Sequence, residues 1–413
     1  MSVEKKVPEI RFTGFSEEWE QRNLGELIDI RSAARVHKEQ WTETGVPFFR
    51  TSDVVSIYKG QENAKAFISY DVYKELTGKI GKVSTDDLLV TGGGSIGIPF
   101  LVPNDDPLYF KDADLLWFKN DQRFDGCFLY TFLFSDTFKK YIRNISHIGT
   151  IAHYTIEQAK ATPIKKCERA EQTAIGTYFQ KLDSLIKQHQ QKHDKLSNLK
   201  KAMLEKMFPK QGETVPEIRF KGFSGEWEEK ELGTDVADII GGGTPSTSIS
   251  EFWNGDIDWY SPTEIGGNVY AEGSQKKITA LGLNSSSAKI LPAGNTVLFT
   301  SRAGIGDMAI LTKLGSTNQG FQSFVIKEGF SPYFIYSSGK QIKEFALKHA
   351  SGSTFLEISG KQLGRMKILI PCEKEQAAIG NYFQKLDTLI NQHQQQITKL
   401  NHIKQACLSK MFV

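Results

Sequence analysis

The chain has 413 residues, 39% hydrophobic and 24% charged, with a net charge of +3, a composition that excludes a disordered or collagen-like chain and a length that excludes one ordinary core. No apolar run approaches the roughly 18 residues that cross a bilayer, and MSVEKKVPEIRF at the N-terminus has no apolar signal-peptide core, so a cytoplasmic protein with no membrane role is expected. Cys127, Cys167, Cys372 and Cys407 form no CxxC pair, which argues against a zinc ribbon or a disulfide framework and for buried free thiols.

In chain order, the first recognisable segment is VPEIRFTGFSEEWEQRNLGEL, Val7 to Leu27. A Gly-, Ser- and Thr-rich stretch follows over residues 25–160, with short β-like runs such as Asp87 to Thr91 and a helical pattern from Phe128 to Ile142. From Glu171 to Phe208 apolar residues recur in steps of four and three through Ile175, Phe179, Leu182, Ile186, Leu196, Met203 and Met207, with His189, His193 and Lys200 in the same stripe. This predicts one amphipathic helix of roughly 35 residues, about 50 Å long. Pro209 and Gly212 then mark a short polar linker.

The same order then returns. VPEIRFKGFSGEWEEKELGTD, Val215 to Asp235, matches the first segment at fourteen of twenty-one positions. Residues 235–365 form a second variable stretch, with β-like runs at Asn295 to Thr300 and Phe324 to Ile326 and a helical pattern from Ser331 to Ala350. Glu375 to Phe412 matches Glu171 to Phe208 at twenty-five of thirty-eight positions and carries the stripe Ile379, Phe383, Leu386, Ile390, Ile397, Leu400, Cys407 and Met411, interrupted by His393 and Lys404. The chain is a tandem duplication of a unit of about 205 residues.

A long amphipathic helix leaves its stripe in water unless something covers it, and the obvious cover for each copy is the other. Halves related by a pseudo-twofold axis would make the pair antiparallel, with Ile175, Phe179, Leu182, Ile186 and Leu196 of one helix and Ile379, Phe383, Leu386, Ile390 and Leu400 of the other in the pairing stripes. The expected fold is α+β: two mixed α/β domains, each followed by a long helix, the helices forming an antiparallel coiled coil. The expected boundaries are a first domain at 1–160, a central helix and linker at 161–212, a second domain at 213–367 and a closing helix at 368–413. Histidines and lysines in the stripe read as polar seam positions, not as metal ligands.

Charge is uneven. Residues 160–210 hold twelve Lys/Arg against five Asp/Glu, residues 360–413 hold eight against three, and the remainder is net acidic. Such basic helices suit nucleic acid, an acidic protein partner, or simply a solvated face. Gly92-x-Gly94-x-x-Gly97 imitates a dinucleotide-binding fingerprint, but Ile98-Pro99-Phe100 cannot open the helix that fingerprint requires. The sequence holds no GxxxxGK[ST] loop, no HExxH and no Asn-Pro-Pro-Tyr-like motif. Asp105, Asp106, Asp112 and Asp114 could imitate a nuclease cluster, yet the second half has no matching set. No catalytic residue and no metal site is expected.

The variable stretches carry side chains suited to reading polar edges: Arg to guanine, Asn and Gln to adenine, Ser and Thr to phosphates or bases. In the first half these are Arg50, Thr51, Ser52, Asp53, Thr91, Gly93, Gly94 and Ser95. In the second they are Thr244, Ser246, Thr247, Thr263, Ser301, Arg302, Asn318, Gln319 and Gln322. The same residue types also build ordinary turns. DLLVTGGGSIG lies over TVLFTSRAGIG, and GVPFFRTSDV over DIDWYSPTEI, as one fold with two different surfaces would.

VPEIRFxGFSxEWE opening each half, GGGTPSTSISEFWNGDIDWYSPTEI, NTVLFTSRAGIGDMAI, TNQGFQS, and EQxAIGxYFQKLDxLIxQHQQ closing each half together resemble the specificity subunit of Type I restriction-modification systems. The first half departs most, with TGGGSIG for TSRAGIG and no TNQGF. The resemblance implies two target recognition domains, each reading one half of an interrupted double-stranded DNA sequence, with the helices fixing the unread spacer. It implies two methyltransferase subunits that use S-adenosylmethionine to methylate adenine, and restriction subunits that use ATP and Mg, while this chain carries no cofactor. A self-sufficient DNA methylase or nuclease and a non-catalytic coiled-coil scaffold are the alternatives.

Overall fold

The computed structural model describes residues 7–112, 114–146, 153–302, 304–352 and 356–413. The chain divides into two compact units, Met1–His189 with Gln395–Val413, and Gln190–Gln394.

The first unit is built on strands β1 (Glu20–Asn23), β2 (Asp29–Arg31), β3 (Leu88–Thr91), β4 (Pro99–Leu101) and β5 (Leu115–Lys119). β3 is buried along its whole length, as its unbroken apolar run demands, and lies inside an antiparallel sheet of order β2–β5–β3–β4. A smaller sheet joins Trp41–Thr42, Phe67–Ile68, Val46–Phe49 and Tyr109–Phe110. Helices α1 (Gly126–Phe132) and α2 (Asp136–Ser146) come next. They divide the single helical pattern expected from Phe128 to Ile142, because Ser135 accepts a hydrogen bond from Phe138 N at 3.2 Å and so starts a new helix. Strand β6 (Pro163–Lys166) pairs with β1, and the 38-residue helix α3 (Arg169–Lys206) begins.

The second unit repeats the plan with β7 (Glu228–Glu231), β8 (Ala237–Gly241), β9 (Tyr270–Ala271), β10 (Thr296–Phe299), β11 (Met308–Leu311) and β12 (Gln322–Ile326). Its main sheet runs β8–β12–β10–β11–β9, and a three-stranded sheet joins Lys276–Ile278, Trp253–Tyr260 and Gly315–Thr317. Helices α4 (Pro332–Ser337) and α5 (Gly339–His349) again split one expected helix, here at Ser338. Strand β13 (Lys367–Ile370) pairs with β7 and leads into the 38-residue helix α6 (Glu373–Lys410). The halves differ where GVPFFRTSDV overlays DIDWYSPTEI: a nine-residue helix, Thr51–Lys59, stands in the first and one 3-10 turn, Pro262–Glu264, in the second.

Each long helix starts in the same way. Glu171 is buried and accepts Arg11 Nε and Nη2 at 2.6 and 2.7 Å, with Trp19 Nε1 at 3.1 Å. Glu375, likewise buried, accepts Arg219 Nε and Nη2 at 2.7 and 2.6 Å. These bidentate pairs hold the arginines' pKa above its usual value, chiefly through the hydrogen bond to the carboxylate. The next residue ties the helix to its neighbour: Gln172 bonds Cys167 O and Asp125 N, and Gln376 bonds Pro371 O and Ser331 N. A Cβ on Gly176 would stand 2.5 Å from Asp125 Oδ1 and 2.8 Å from Phe128 N, so glycine lets the start of α1 touch α3.

Within each unit the two long helices run antiparallel. In the first, Tyr178 meets Cys407, with Oη and Sγ 3.7 Å apart, and Asp183 meets Lys404 at 2.5 Å. In the second, Lys200 meets Asp387 at 2.5 Å, and Tyr333 donates to the same carboxylate at 2.6 Å. Phe412 lies among Trp19, Phe128, Phe132 and Phe179, with ring centroids 5.6 to 6.3 Å away. Phe208 sits among Trp227, Phe334 and Phe383 at 5.4 to 6.3 Å. Of the stripe residues, Ile175, Phe179, Leu182, Ile379, Phe383 and Leu386 are buried, while Ile186, Leu196, Ile390 and Leu400 are half-buried. The lysines interrupting the stripe form ion pairs with aspartates of the opposite helix. Not every cysteine is buried: Cys167 and Cys407 are, Cys127 is half-buried and Cys372 exposed.

Removing one partner of a buried, hydrogen-bonded ion pair strands the other charge, so Glu171→Ala should cost about 3–5 kcal/mol in urea unfolding, and Glu375→Ala a similar amount. Phe412→Ala should cost about 3–5 kcal/mol through lost ring burial and the cavity left behind. Costs below about 1 kcal/mol would mean that these contacts do not hold the units together.

Candidate nucleic-acid interface

A threonine that closes a strand in the first unit and directly follows one in the second builds the same loop in both. After β3, Thr91 Oγ1 donates to Ser95 O at 2.5 Å and accepts from Ile98 N at 2.9 Å, while Gly97 N donates to Thr91 O at 2.7 Å. After β10, Thr300 Oγ1 donates to Gly304 O at 2.6 Å and accepts from Asp307 N at 2.9 Å, and Gly306 N donates to Thr300 O at 2.9 Å. Gly97 and Gly306 have φ of +79° and +96°, which side chains rarely adopt, and a Cβ there would meet Phe138 at 3.1 Å or Lys343 at 2.4 Å. The loop returns into a strand, not a helix, so the spacing Gly92-x-Gly94-x-x-Gly97 belongs to a turn rather than to a phosphate-binding fingerprint.

Two further bonds fix each loop to its surroundings. In the first unit Gly92 N donates to Asp114 O and accepts, through its carbonyl, Tyr154 N, both at 2.8 Å. In the second, Ser301 N donates to Gly320 O at 2.8 Å and Ser301 O accepts Ile358 N at 3.1 Å. Backbone geometry is therefore shared, and the side chains on it are not.

In the second unit, Gly243 N bonds Thr317 O, Asn318 N bonds Tyr260 O, and Thr244 Oγ1 donates to Gln319 Oε1. Thr244, Thr263, Ser301, Arg302, Asn318 and Gln319 are thereby carried on loops bonded to one another. Thr244, Thr263 and Gln319 are exposed, and Arg302 is partly so. Asn318 spends its side-chain oxygen on Gly320 N at 2.8 Å, and Ser301 is buried, so both shape the loop instead of presenting these groups outward. Gln322 is half-buried beside Gly241 and Gly360. Ser246 and Thr247 are exposed further along their loop, with Ser246 Oγ 2.8 Å from Ser248 Oγ.

In the first unit, Thr51 Oγ1 donates to Asp114 O at 3.2 Å, which brings the start of helix Thr51–Lys59 to the glycine loop. Arg50 is committed internally: Nε and Nη2 bond Asp53 at 2.8 and 3.0 Å, its guanidinium lies over Trp41 at 5.9 Å, and its pKa is raised by the Asp53 bond. Ser52 and Asp53 both accept from Asn63. Arg50 and Asp53 therefore close a helix start rather than present a free fork. Thr91 and Gly93 are buried, while Gly94 and Ser95 are exposed at the loop tip. The acids that could imitate a nuclease cluster are tied up separately: Asp105 accepts Thr85 N at 2.8 Å, Asp106 accepts Asn104 Nδ2 at 2.7 Å, and Asp114 pairs with Lys111 at 2.5 Å.

Sequence reading missed two residues. Glu357 pairs with Arg302, and its counterpart, one residue before the bond to the loop, is His153 beside Gly93. They stand 204 positions apart, the spacing of the helix repeat, which is the signal that could have found them. Among the described residues no group of His, Cys, Asp and Glu could hold a metal ion, and no helix is long and apolar enough to cross a membrane.

Comparison with known proteins agrees with this doubled architecture. The S subunit of a Type I restriction-modification system from M. genitalium has a crystal structure that aligns with 98% of this chain and 99% of its own, with a TM-score of 0.59 at 16% identity, which is a likeness of fold. The Type I restriction enzyme MjaIX specificity subunit of Methanocaldococcus jannaschii is 33% identical over 192 residues, covering 46% of this chain and 44% of that one. The EcoR124I/EcoR124II specificity subunit of Escherichia coli is 35% identical over 176 residues, covering 40% and 42%. The chain thus matches less than half the length of either relative. The model of the Type I restriction modification DNA specificity domain matches residues 16–198 and again residues 224–402, and with most of its length matched in two copies the chain belongs to that family.

Proposed function

We propose that this chain is the sequence-reading subunit of a Type I restriction-modification complex, with each half reading one part of a bipartite double-stranded DNA target. The observation that carries the reading is the doubled threonine loop: one hydrogen-bonded frame, kept in both units, bearing glycines and serine in one and Ser-Arg in the other. A frame kept constant under changing side chains suits two readers of different sequences. Residues 1–160 and 213–367 serve as the recognition domains, 161–212 as the central helix and linker, and 368–413 as the closing helix. The antiparallel helices set the length of the unread spacer.

Gly94, Ser95, Thr244, Ser246, Thr247, Thr263, Arg302, Gln319 and Gln322 face the DNA on this reading. Thr51, Ser52, Thr91, Gly93, Ser301 and Asn318 hold their loops in shape, and Arg50 with Asp53 fixes a helix start. The chemistry belongs to partners: two methyltransferase subunits with S-adenosylmethionine for adenine methylation, and restriction subunits with ATP and Mg for cleavage, all in the cytoplasm. Because the chain outside its long helices is net acidic, much of the phosphate affinity comes from those partners.

Inserting four residues at the midpoint of both α3 and α6 adds about 6 Å. It should lengthen the preferred spacer by one or two base pairs at roughly 3.4 Å each. An unchanged spacer would remove the helices from that role. The purified chain incubated alone with S-adenosylmethionine and target DNA should transfer no methyl groups, and detectable methylation without an added subunit would contradict a purely recognising role.

A further inference from the structure

Arg302 occupies a place that the first unit leaves to Gly93. Its backbone is anchored from both sides: Ser301 bonds Gly320 and Ile358, and Arg302 itself forms an antiparallel bridge with Glu357. The guanidinium Nη1 stands 3.9 Å from Glu357 Oε2, beyond hydrogen-bond length, and the two side chains are 33% and 44% exposed. An exposed pair this loose adds little to stability, so stability does not account for it. A cation and a carboxylate are instead held side by side at the edge of the loop cluster.

That pairing decides between the two things an exposed arginine contacts on DNA. A phosphate would be repelled by Glu357. A base edge is neutral, and in the major groove a G·C pair offers two acceptors, guanine O6 and N7, beside one donor, the cytosine N4 amino group. A guanidinium fork next to a carboxylate is the complement of that row. An A·T pair gives the fork no adjacent pair of acceptors on one base. In the first unit Gly93 and His153 occupy these positions, so the same frame carries no such pair there.

We propose that Arg302 and Glu357 together read one G·C base pair in the second half-site, Arg302 donating to guanine and Glu357 accepting from the paired cytosine. This rests on the proposed DNA-reading function. The test is methylation by the complete complex, this chain with its methyltransferase subunits, on duplexes whose first half-site is constant and whose second is randomised. The wild type should require G·C at one position of the second half-site. Arg302→Ala should reduce that preference about tenfold to a hundredfold, leaving the other positions and the first half-site unchanged. Glu357→Ala should relax the same position, and Arg302→Lys, which keeps the charge but loses the fork, should relax it too.

Uniform loss of methylation across all sequences in Arg302→Ala would make Arg302 a phosphate contact and overturn the proposal, as would a Lys variant that discriminates like the wild type. A wild-type complex that shows no separate half-sites would instead overturn the broader reading. Thermal melting of the variants should match the wild type because both side chains are partly exposed and only loosely paired, so lost discrimination cannot be assigned to unfolding.

Discussion

A 38-residue helix with an apolar stripe on one side cannot stay in water alone, and the rest of this structure depends on how that stripe is covered. Each unit closes its core with residues from far away in the chain. Tyr178 and Cys407, in contact, are 229 positions apart, and the first unit's core is incomplete until Leu408, Met411 and Phe412 return to it. The second unit is closed in the same way by Met207 and Phe208. Closure over such separations carries a loop-entropy cost and makes late, cooperative folding of each unit the expected behaviour. The arginine–glutamate latches at the helix starts, Arg11 with Glu171 and Arg219 with Glu375, fix the position from which each stripe runs. They do so with buried charge, which stabilises only while both partners are present.

Periodicity and duplication made the helices and their antiparallel pairing legible in the sequence, because a stripe repeated 204 residues later needs a partner and finds one in its copy. The latches were not legible, although all four residues lie in the repeated segments, since nothing local joins Arg11 to a glutamate 160 positions on. Element boundaries failed where a single polar residue decides them: Ser135 starts a helix inside an otherwise continuous helical pattern. The overlay of GVPFFRTSDV on DIDWYSPTEI captured a shared strand and missed that one copy continues as a nine-residue helix, because tertiary packing sets the conformation beyond the strand's end.

The candidate interface was legible as a set of loops and less so as a set of side chains. Thr91 and Ser301 have hydroxyls that could touch DNA, and composition alone cannot tell that use from loop building. The structure separates them by burial and by bonds: Thr91 ties its own loop, and Arg50 is held by Asp53. Glu357 escaped notice because its meaning depends on Arg302, 55 residues earlier, and on a backbone bridge that no local pattern announces. On the proposed function, recognition lies in the differences between two copies of one frame.

The central claim is that one chain holds two separate readers at a set separation. Methylome sequencing of cells that carry the intact system tests it most directly. The account predicts a single bipartite motif, two short specific halves flanking an unread spacer of constant length, with a modified adenine in each half on opposite strands. A contiguous motif, one specific half only, or a spacer that varies among modified sites would contradict it.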